Sequence, residues 1–338
     1  MRAGRAPRPG RRSRLGGDQR SAGWRAGGSK ARYGPLVNQQ ILEIDPASRQ
    51  RLTERFGHTV EGWFTQLPAI LVTLVDRWHL TLGEQIPHGS VSIVYRCKLA
   101  DGRPAVLKVS PDRARIAEET AALRAWRTVH VPRVIRSDEA FGALLIEAVE
   151  HGVPLDQVPG GASVENVAEL VSALHLGTPS PSFPQVVQRV EALFRSSEAM
   201  YRRDPGLTVV ISKDTYVRGR ALADRLARLE HRDVLLHGDL TPGNILIGEE
   251  ERGLVAIDPT PCIGDAAFDV VDLVLWRANS IATVERRSER LAVVMNVDES
   301  VIFSWCVAFA GMNALELATR DDVPAGQIDT LVALAARA

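Results

Sequence analysis

The sequence is poor in several features that would settle a function quickly. It has three cysteines, Cys97, Cys262 and Cys306, far apart and without CxxC or Cys/His spacing, so neither a disulfide framework nor a zinc site is expected. Aromatic residues make up only 5% of the chain. No apolar run reaches the roughly 18 to 20 residues a membrane span needs. The best candidate, residues 301–312, is shorter, contains Ser304, and reads as a buried helix. A basic N-terminus without an apolar segment behind it gives no support for a signal peptide. Net charge is also lacking, with 41 basic and 41 acidic residues.

That balance hides an asymmetry. Residues 1–36 hold nine Arg and Lys30 against Asp18 alone, which leaves 31 basic and 40 acidic residues in the remainder. An acidic body favours cationic small molecules over nucleic acid. Residues 1–36 are rich in Arg, Gly and Pro with few aliphatics, too little apolar surface to offset the entropy of ordering. They are expected to be a disordered basic extension or a start-site artefact. The 45% hydrophobic content of the whole chain is ample for a core.

From Asp45 the pattern is helical. Leu52, Phe56, Val60, Phe64 and Leu67 recur at three- or four-residue spacing, with Pro68 expected to bend or restart the segment before residues 70–78. The period then shortens to strand-like runs at residues 80–86, 91–99 and 104–109, the last two separated by Asp101-Gly102. A helix is predicted over 112–127 and further strands over 131–135 and 142–149. After Pro154 the chain is mainly helical, interrupted by strand–loop–strand at 234–257. The reading is α+β: a small antiparallel N-lobe with leading helices over 37–150, and a larger helical C-lobe over 151–338.

Residues 233–249 read DVLLHGDLTPGNILIGE. An apolar strand delivers polar residues to a loop and a second strand removes the chain. Asp239 and Asn244 have the spacing of the protein-kinase catalytic loop, where the Asp orients or deprotonates the attacking hydroxyl and the Asn holds magnesium. GLVAIDP follows, placing Asp258 at a strand end where kinases hold their second metal ligand. Mg²⁺ takes hard oxygen donors, one or two carboxylates plus phosphate. Asp258 and Asn244 meet that need.

PAVLKVS sets Lys108 within an apolar strand, a costly place for a charge unless it is paired. The next helix offers Glu118 and Glu119. Glu119 shares the inward face of Leu123 and Trp126, and is the expected partner of Lys108. HGSVSIVYR retains Gly89, Ser90 and Ser92 for phosphate contact but lacks the full GxGxxG. GALLIEAVEHGVPL makes residues 147–150 the expected hinge, with the backbone of Glu147 and Val149 meeting adenine.

Together HGDLTPGN and IDPTPCIGDAAFDVVDLVLW resemble the aminoglycoside phosphotransferases, in particular the aminoglycoside 6-phosphotransferase (streptomycin 6-kinase) and hydroxyurea phosphotransferase group. RFG, RWHLTLG and EETAALRAW extend the likeness. The resemblance implies a protein-kinase-like two-lobed fold and ATP- and Mg²⁺-dependent phosphorylation of a cationic aminoglycoside, most directly the streptomycin 6-hydroxyl, conferring resistance in the bacterial cytoplasm. It assigns Asp239 as catalytic base, Asn244 and Asp258 as metal ligands, Lys108 as phosphate clamp and Glu119 as its orienting partner. Thr241 departs from the HGDLHPGN of many relatives, and DPT departs from DFG, so the Phe-dependent switch of protein kinases is not carried over. The rival readings are a kinase of another small hydroxyl compound or hydroxyurea, and a non-catalytic nucleotide- or drug-binding module. No membrane partner is expected, and the oligomeric state is not set by the sequence.

Around the loop, His237 is expected to hydrogen-bond the loop backbone. The helically spaced acids Asp265, Asp269 and Asp272 invite a reading as a cation-binding face, but Asp265 is expected to cap a helix, and the resemblance implies that Asp269 supports the catalytic loop. His175, Trp276, Trp305 and Phe309 are expected in packing roles. Asp298, Glu299 and Glu316 are candidate substrate acids.

Overall fold

A computed structural model describes residues 43–87, 91–230, 232–249, 251–320, 323 and 326–338. The expectation for residues 1–36, and the placement of Gly89 and Ser90, lie outside these. Helix α1 (Pro46–Phe56) begins where the Asp45 carboxylate accepts the Ser48 amide at 2.9 Å, with Pro46 in the first turn where its missing donor costs nothing. A single 3-10 turn leads into α2 (Glu61–Trp78). The leading helices therefore break at Gly57, not at Pro68, which lies inside an uninterrupted α2. Gly57 adopts φ 68° and ψ −169°, a region open in practice only to a residue without Cβ. Buried Leu67 and Leu71 flank Pro68 and hold the helix to the core.

Strands β1 (Thr81–Ile86), β2 (Ile93–Lys98), β3 (Pro104–Val109), β4 (Val134–Asp138) and β5 (Ala143–Glu147) form an antiparallel sheet in the order β1-β2-β3-β5-β4. Strand β4 starts later than its apolar run suggests. Pro132 has no amide to give a ladder, and the Val131 carbonyl is taken by Arg252 at 3.0 Å. Helix α3 (Arg113–Ala125) sits between β3 and β4, capped by Asp112.

The period-2 alternation of the sheet divides two cores. Ala105, Leu107, Val109, Ala143 and Leu145 face α1 and α2, packing with Leu67, Leu71 and Leu74. Leu144 and Ile146 face the other way, joining Ile116, Leu123 and Trp126 in a core continuous with the C-lobe. Each fully buried leucine contributes about 1.5–3 kcal/mol, so α1 and α2 are integral to the N-lobe. The same alternation turns Lys108 away from Leu107 and Val109 towards α3.

After β6 (Val153–Pro154) the C-lobe contains α4 (Val164–His175), α5 (Val186–Arg203), α6 (Lys213–Leu226), the strands β7 (Asp233–Leu236), β8 (Ile245–Ile247), β9 (Leu254–Ala256) and β10 (Cys262–Asp265), the short α7 (Val271–Leu275), then α8 (Ile281–Met295), α9 (Glu299–Leu317) and α10 (Gln327–Ala335). Strands β7 and β10 pair antiparallel, as do β6-β8-β9. Helix α9 extends beyond the run expected at 301–312, and among the described residues it alone is long and apolar enough to cross a membrane. It lies against α6, α8 and α10, and 56% of its apolar window is buried, as for a core helix. All three cysteines are buried and free.

Candidate active site

Strand β3 and helix α3 bring the expected ion pair together. Lys108 Nζ donates to Glu119 Oε1 and Oε2 at 2.7 and 2.9 Å, and also to Asp258 Oδ1. Lys108 is 4% exposed, so its charge depends on these partners. Burial opposes its protonation, but the carboxylates of Asp258 and Glu119 outweigh burial and raise the amine above its ordinary value. For Glu119 burial wins and raises the carboxyl, against the pull of Lys108. At Asp258 burial is outweighed by Lys108, with help from Arg115 and His237, and the carboxyl stays below its usual range.

Asp258 has φ 59°, a left-handed conformation that Asp tolerates better than most residues. The surrounding bonds hold it there. Ile257 N donates to Asn244 O and Thr260 N to His237 O, each at 2.8 Å. From α3, Arg115 donates to Pro259 O at 2.5 Å and Thr260 Oγ1 at 2.7 Å, tying the N-lobe helix to the loop that carries Asp258.

The catalytic-loop sequence leaves β7 at His237. Asp269 accepts the His237 and Gly238 amides on its two oxygens, each at 2.8 Å, in the supporting role the resemblance implied. His237 is fully buried, and its Nε2 donates to Ile257 O at 3.0 Å. Burial lowers its pKa, which suits the expected bond to the loop backbone. Gly238 has φ 73°, and a Cβ there would meet the Thr260 carbonyl oxygen at 2.0 Å, so no other residue fits. Asp239 follows, its side chain 36% exposed. Asn244 Nδ2 donates to Asp239 O at 2.9 Å and Oδ2 at 3.1 Å. Arg189 of α5 donates to Gly238 O at 2.7 Å and Asp239 Oδ1 at 3.0 Å.

Two cavities meet at Asp239. One, of about 410 Å³, is bordered by Asn244, Asp258, Arg115, Arg189 and Thr260. The other, of about 350 Å³, lies between the catalytic loop, α7 and α9, and is lined by Asp156, Asp269, Asp272, Glu316, Trp276 and Thr241, with Arg189 and Arg320 also on its wall. Glu316 thus stands in a substrate-sized space, in an ion pair with Arg320. Asp298 and Glu299 do not line it. They begin α9 at its opposite end, with Asp298 accepting the Ser300 amide as the helix cap.

Other expectations divide. Asp265 accepts the Ala267 amide at 3.0 Å and Trp305 Nε1 at 2.9 Å, a cap that also anchors the core. His175 packs with its Nε2 3.3 Å from Asp269. Trp305 and Phe309 are buried, whereas Trp276 is only partly so and lines the acidic cavity with Phe309. Ser92 is buried at the start of β2 and borders neither cavity; Val91 beside it does. At the hinge, the Glu147 amide is spent on Arg133 O at 3.0 Å and its carboxylate on Arg252 at 2.6 Å. The Val149 amide makes no hydrogen bond among the described residues.

Sequence reasoning missed Arg115, Arg189 and Asp156. An Arg on a helix face and an Asp in a Gly/Pro-rich loop carry no local signal of a site. Asp272 was visible only as one of three helically spaced acids. Its carboxyl is pushed up to about 7, by burial first and then by the charges of Asp239 and Glu316.

The donors in the cavity of Asn244 and Asp258 suit magnesium. Asn244 spends its Nδ2 on Asp239, which leaves its carbonyl oxygen for a cation, and the Asp258 side chain is 31% exposed in the same cavity. Among the described residues no cluster of three or more His, Cys, Asp or Glu could build a protein-only metal site. One amide oxygen and one carboxylate, completed by phosphate and water, is the donor set Mg²⁺ takes.

A five-stranded N-lobe with a buried Lys–Glu pair, above a helical lobe presenting Asp239, Asn244 and Asp258, defines a protein-kinase-like phosphotransferase. Residues 77–321 match the family described as aminoglycoside/hydroxyurea antibiotic resistance kinase, and the chain belongs to that family. It is 27% identical over 292 residues to the streptomycin 6-kinase of Streptomyces glaucescens, covering 83% of this chain and 92% of that protein. It is 28% identical over 281 residues to the hydroxyurea phosphotransferase of Kitasatospora aureofaciens, covering 81% and 80% respectively. Among solved structures, a thermostable mutant of aminoglycoside phosphotransferase APH(4)-Ia, in ternary complex with ADP and hygromycin B, superposes with a TM-score of 0.51 at 16% identity, covering 78% of this chain and 97% of that one. At that identity the likeness speaks to the fold.

Proposed function

We propose that the protein transfers the γ-phosphoryl group of ATP, with Mg²⁺, to a hydroxyl of a cationic aminoglycoside, the acceptor being the 6-hydroxyl of streptomycin. The observation that carries this reading is the position of Asp239, which borders both the cavity of Asn244 and Asp258 and the acidic cavity of Asp156, Asp272 and Glu316. A hydroxyl presented from the acidic side would meet a phosphoryl group presented from the other. Asp239 accepts its hydrogen bond and proton. Lys108, held by Glu119, clamps phosphate oxygens, and the free Val149 amide offers the adenine ring a donor. Asn244 and Asp258 would hold Mg²⁺, which supplies charge neutralisation at the phosphate oxygens when bound. Most of the rate then comes from alignment and preorganised charge.

Support for the acceptor comes from the cavity and from the streptomycin 6-kinases among the relatives. The acidic cavity, about 350 Å³, has the size of a drug-sized binding site and the charge to receive guanidinium or ammonium groups. Hydroxyurea, a small neutral molecule, would neither fill it nor use its carboxylates. Asp239→Ala tests the reading: kcat should fall by about 1,000-fold while calorimetry shows MgATP binding retained. Retention of most turnover sinks the role given to Asp239.

A further inference from the structure

Arg189 has no place in the sequence motif, yet it reaches the centre of the site. It lies in the first turn of α5, where the Gln188 side chain accepts the Gln185 amide at 2.9 Å. The start of that helix is fixed to β10: Ile263 N donates to Pro184 O at 2.8 Å, and Gly264 leaves room for Val186, which a Cβ would meet at 2.5 Å. Strand β10 in turn pairs with β7, which delivers Asp239. The guanidinium is therefore set on the same framework as the carboxylate it touches.

Arg189 Nη2 holds Asp239 Oδ1 at 3.0 Å while Asn244 Nδ2 holds Oδ2 at 3.1 Å, so the carboxylate is gripped from both sides. Arg189 Nε holds the Gly238 carbonyl at 2.7 Å, fixing the peptide that precedes Asp239. We propose that Arg189 is a positioning residue for phosphoryl transfer, acting through Asp239 by fixing the plane of its carboxylate between the two cavities. This inference rests on the proposed role of Asp239. A planar guanidinium forming two parallel contacts sets orientation in a way a single ammonium does not.

The test is a double-mutant cycle of Arg189→Gln and Asp239→Asn, with Arg189→Lys alongside. It is read as kcat and KM for streptomycin phosphorylation and as acceptor-free ATP hydrolysis, with thermal melting of each variant. Arg189→Gln should lower kcat about 100-fold with both KM values and the melting temperature unchanged. Arg189→Lys should recover part of the loss, and adding Arg189→Gln to Asp239→Asn should cost nothing more. Additive losses would mean that Arg189 acts on the phosphoryl group directly, and a loss confined to KM would make it a binding residue; either overturns the proposal. If the wild type hydrolyses ATP but phosphorylates no streptomycin, the proposed acceptor fails, and the cycle on hydrolysis still decides the role of Arg189.

Discussion

At the residue scale, charge is stabilised by pairing rather than by water. Lys108 sits between Glu119 and Asp258, and in the proposed reaction the same ammonium exchanges its contact with Asp258 for phosphate oxygens. Asp272 is the opposite case, a half-buried carboxyl among like charges that is pushed up to about 7. As pH rises through that value Asp272 loses its proton and the cavity becomes more negative. The KM for a cationic acceptor should therefore fall between about pH 6 and about pH 8, and Asp272→Asn should remove that dependence, as steady-state kinetics in matched buffers will show. The stability consequence has the other sign. With its pKa raised on folding, Asp272 keeps a proton that the unfolded chain has already lost, so its ionisation lowers stability progressively from the ordinary carboxylate range up to about 7.

At the scale of elements, the site depends on how strands deliver loops. Strand β7 ends at His237-Gly238-Asp239, with the Gly238 peptide against Thr260 and clamped by Asp269. Gly238→Ala forces a Cβ into the Thr260 carbonyl, so kcat should drop by about 100-fold or more and the melting temperature should fall. Calorimetry together with kinetics will register both. In the leading helices the expectation reverses. Pro68 forfeits a hydrogen bond inside α2, so Pro68→Ala should stabilise the protein by about 1–2 kcal/mol, measured by urea unfolding with activity unchanged. These elements also show what the sequence made legible. The first three strands, α3 and the Lys108–Glu119 pair follow from period and polarity, because a charge in an apolar strand must find a partner. The break at Gly57 was hidden because the apolar spacing runs unbroken across it, and only the backbone dihedral separates α1 from α2. The late start of β4 depended on Arg252 claiming the Val131 carbonyl, a contact between residues far apart in sequence.

At the scale of the whole molecule, the fold puts the buried Lys108 pair on one side of Asp239 and the acidic cavity on the other. The grouping of Asp239, Asn244 and Asp258 was legible because they lie close together in sequence, on a loop and just after the strand that follows. The acceptor cavity was not, because Asp156, Asp272 and Glu316 come from a loop, α7 and α9, and only the packing of α9 against the catalytic loop collects them. Family membership sets the class of reaction, and the charge and volume of that cavity support the choice of acceptor. The most direct measurement is phosphorus NMR of the product formed from ATP, Mg²⁺ and streptomycin, with hydroxyurea as a parallel acceptor. The account predicts a phosphate monoester at the streptomycin 6-hydroxyl, formed by the wild type and not by Asp239→Ala, and no phosphorylated hydroxyurea. Phosphorylation of hydroxyurea with streptomycin left untouched would contradict it.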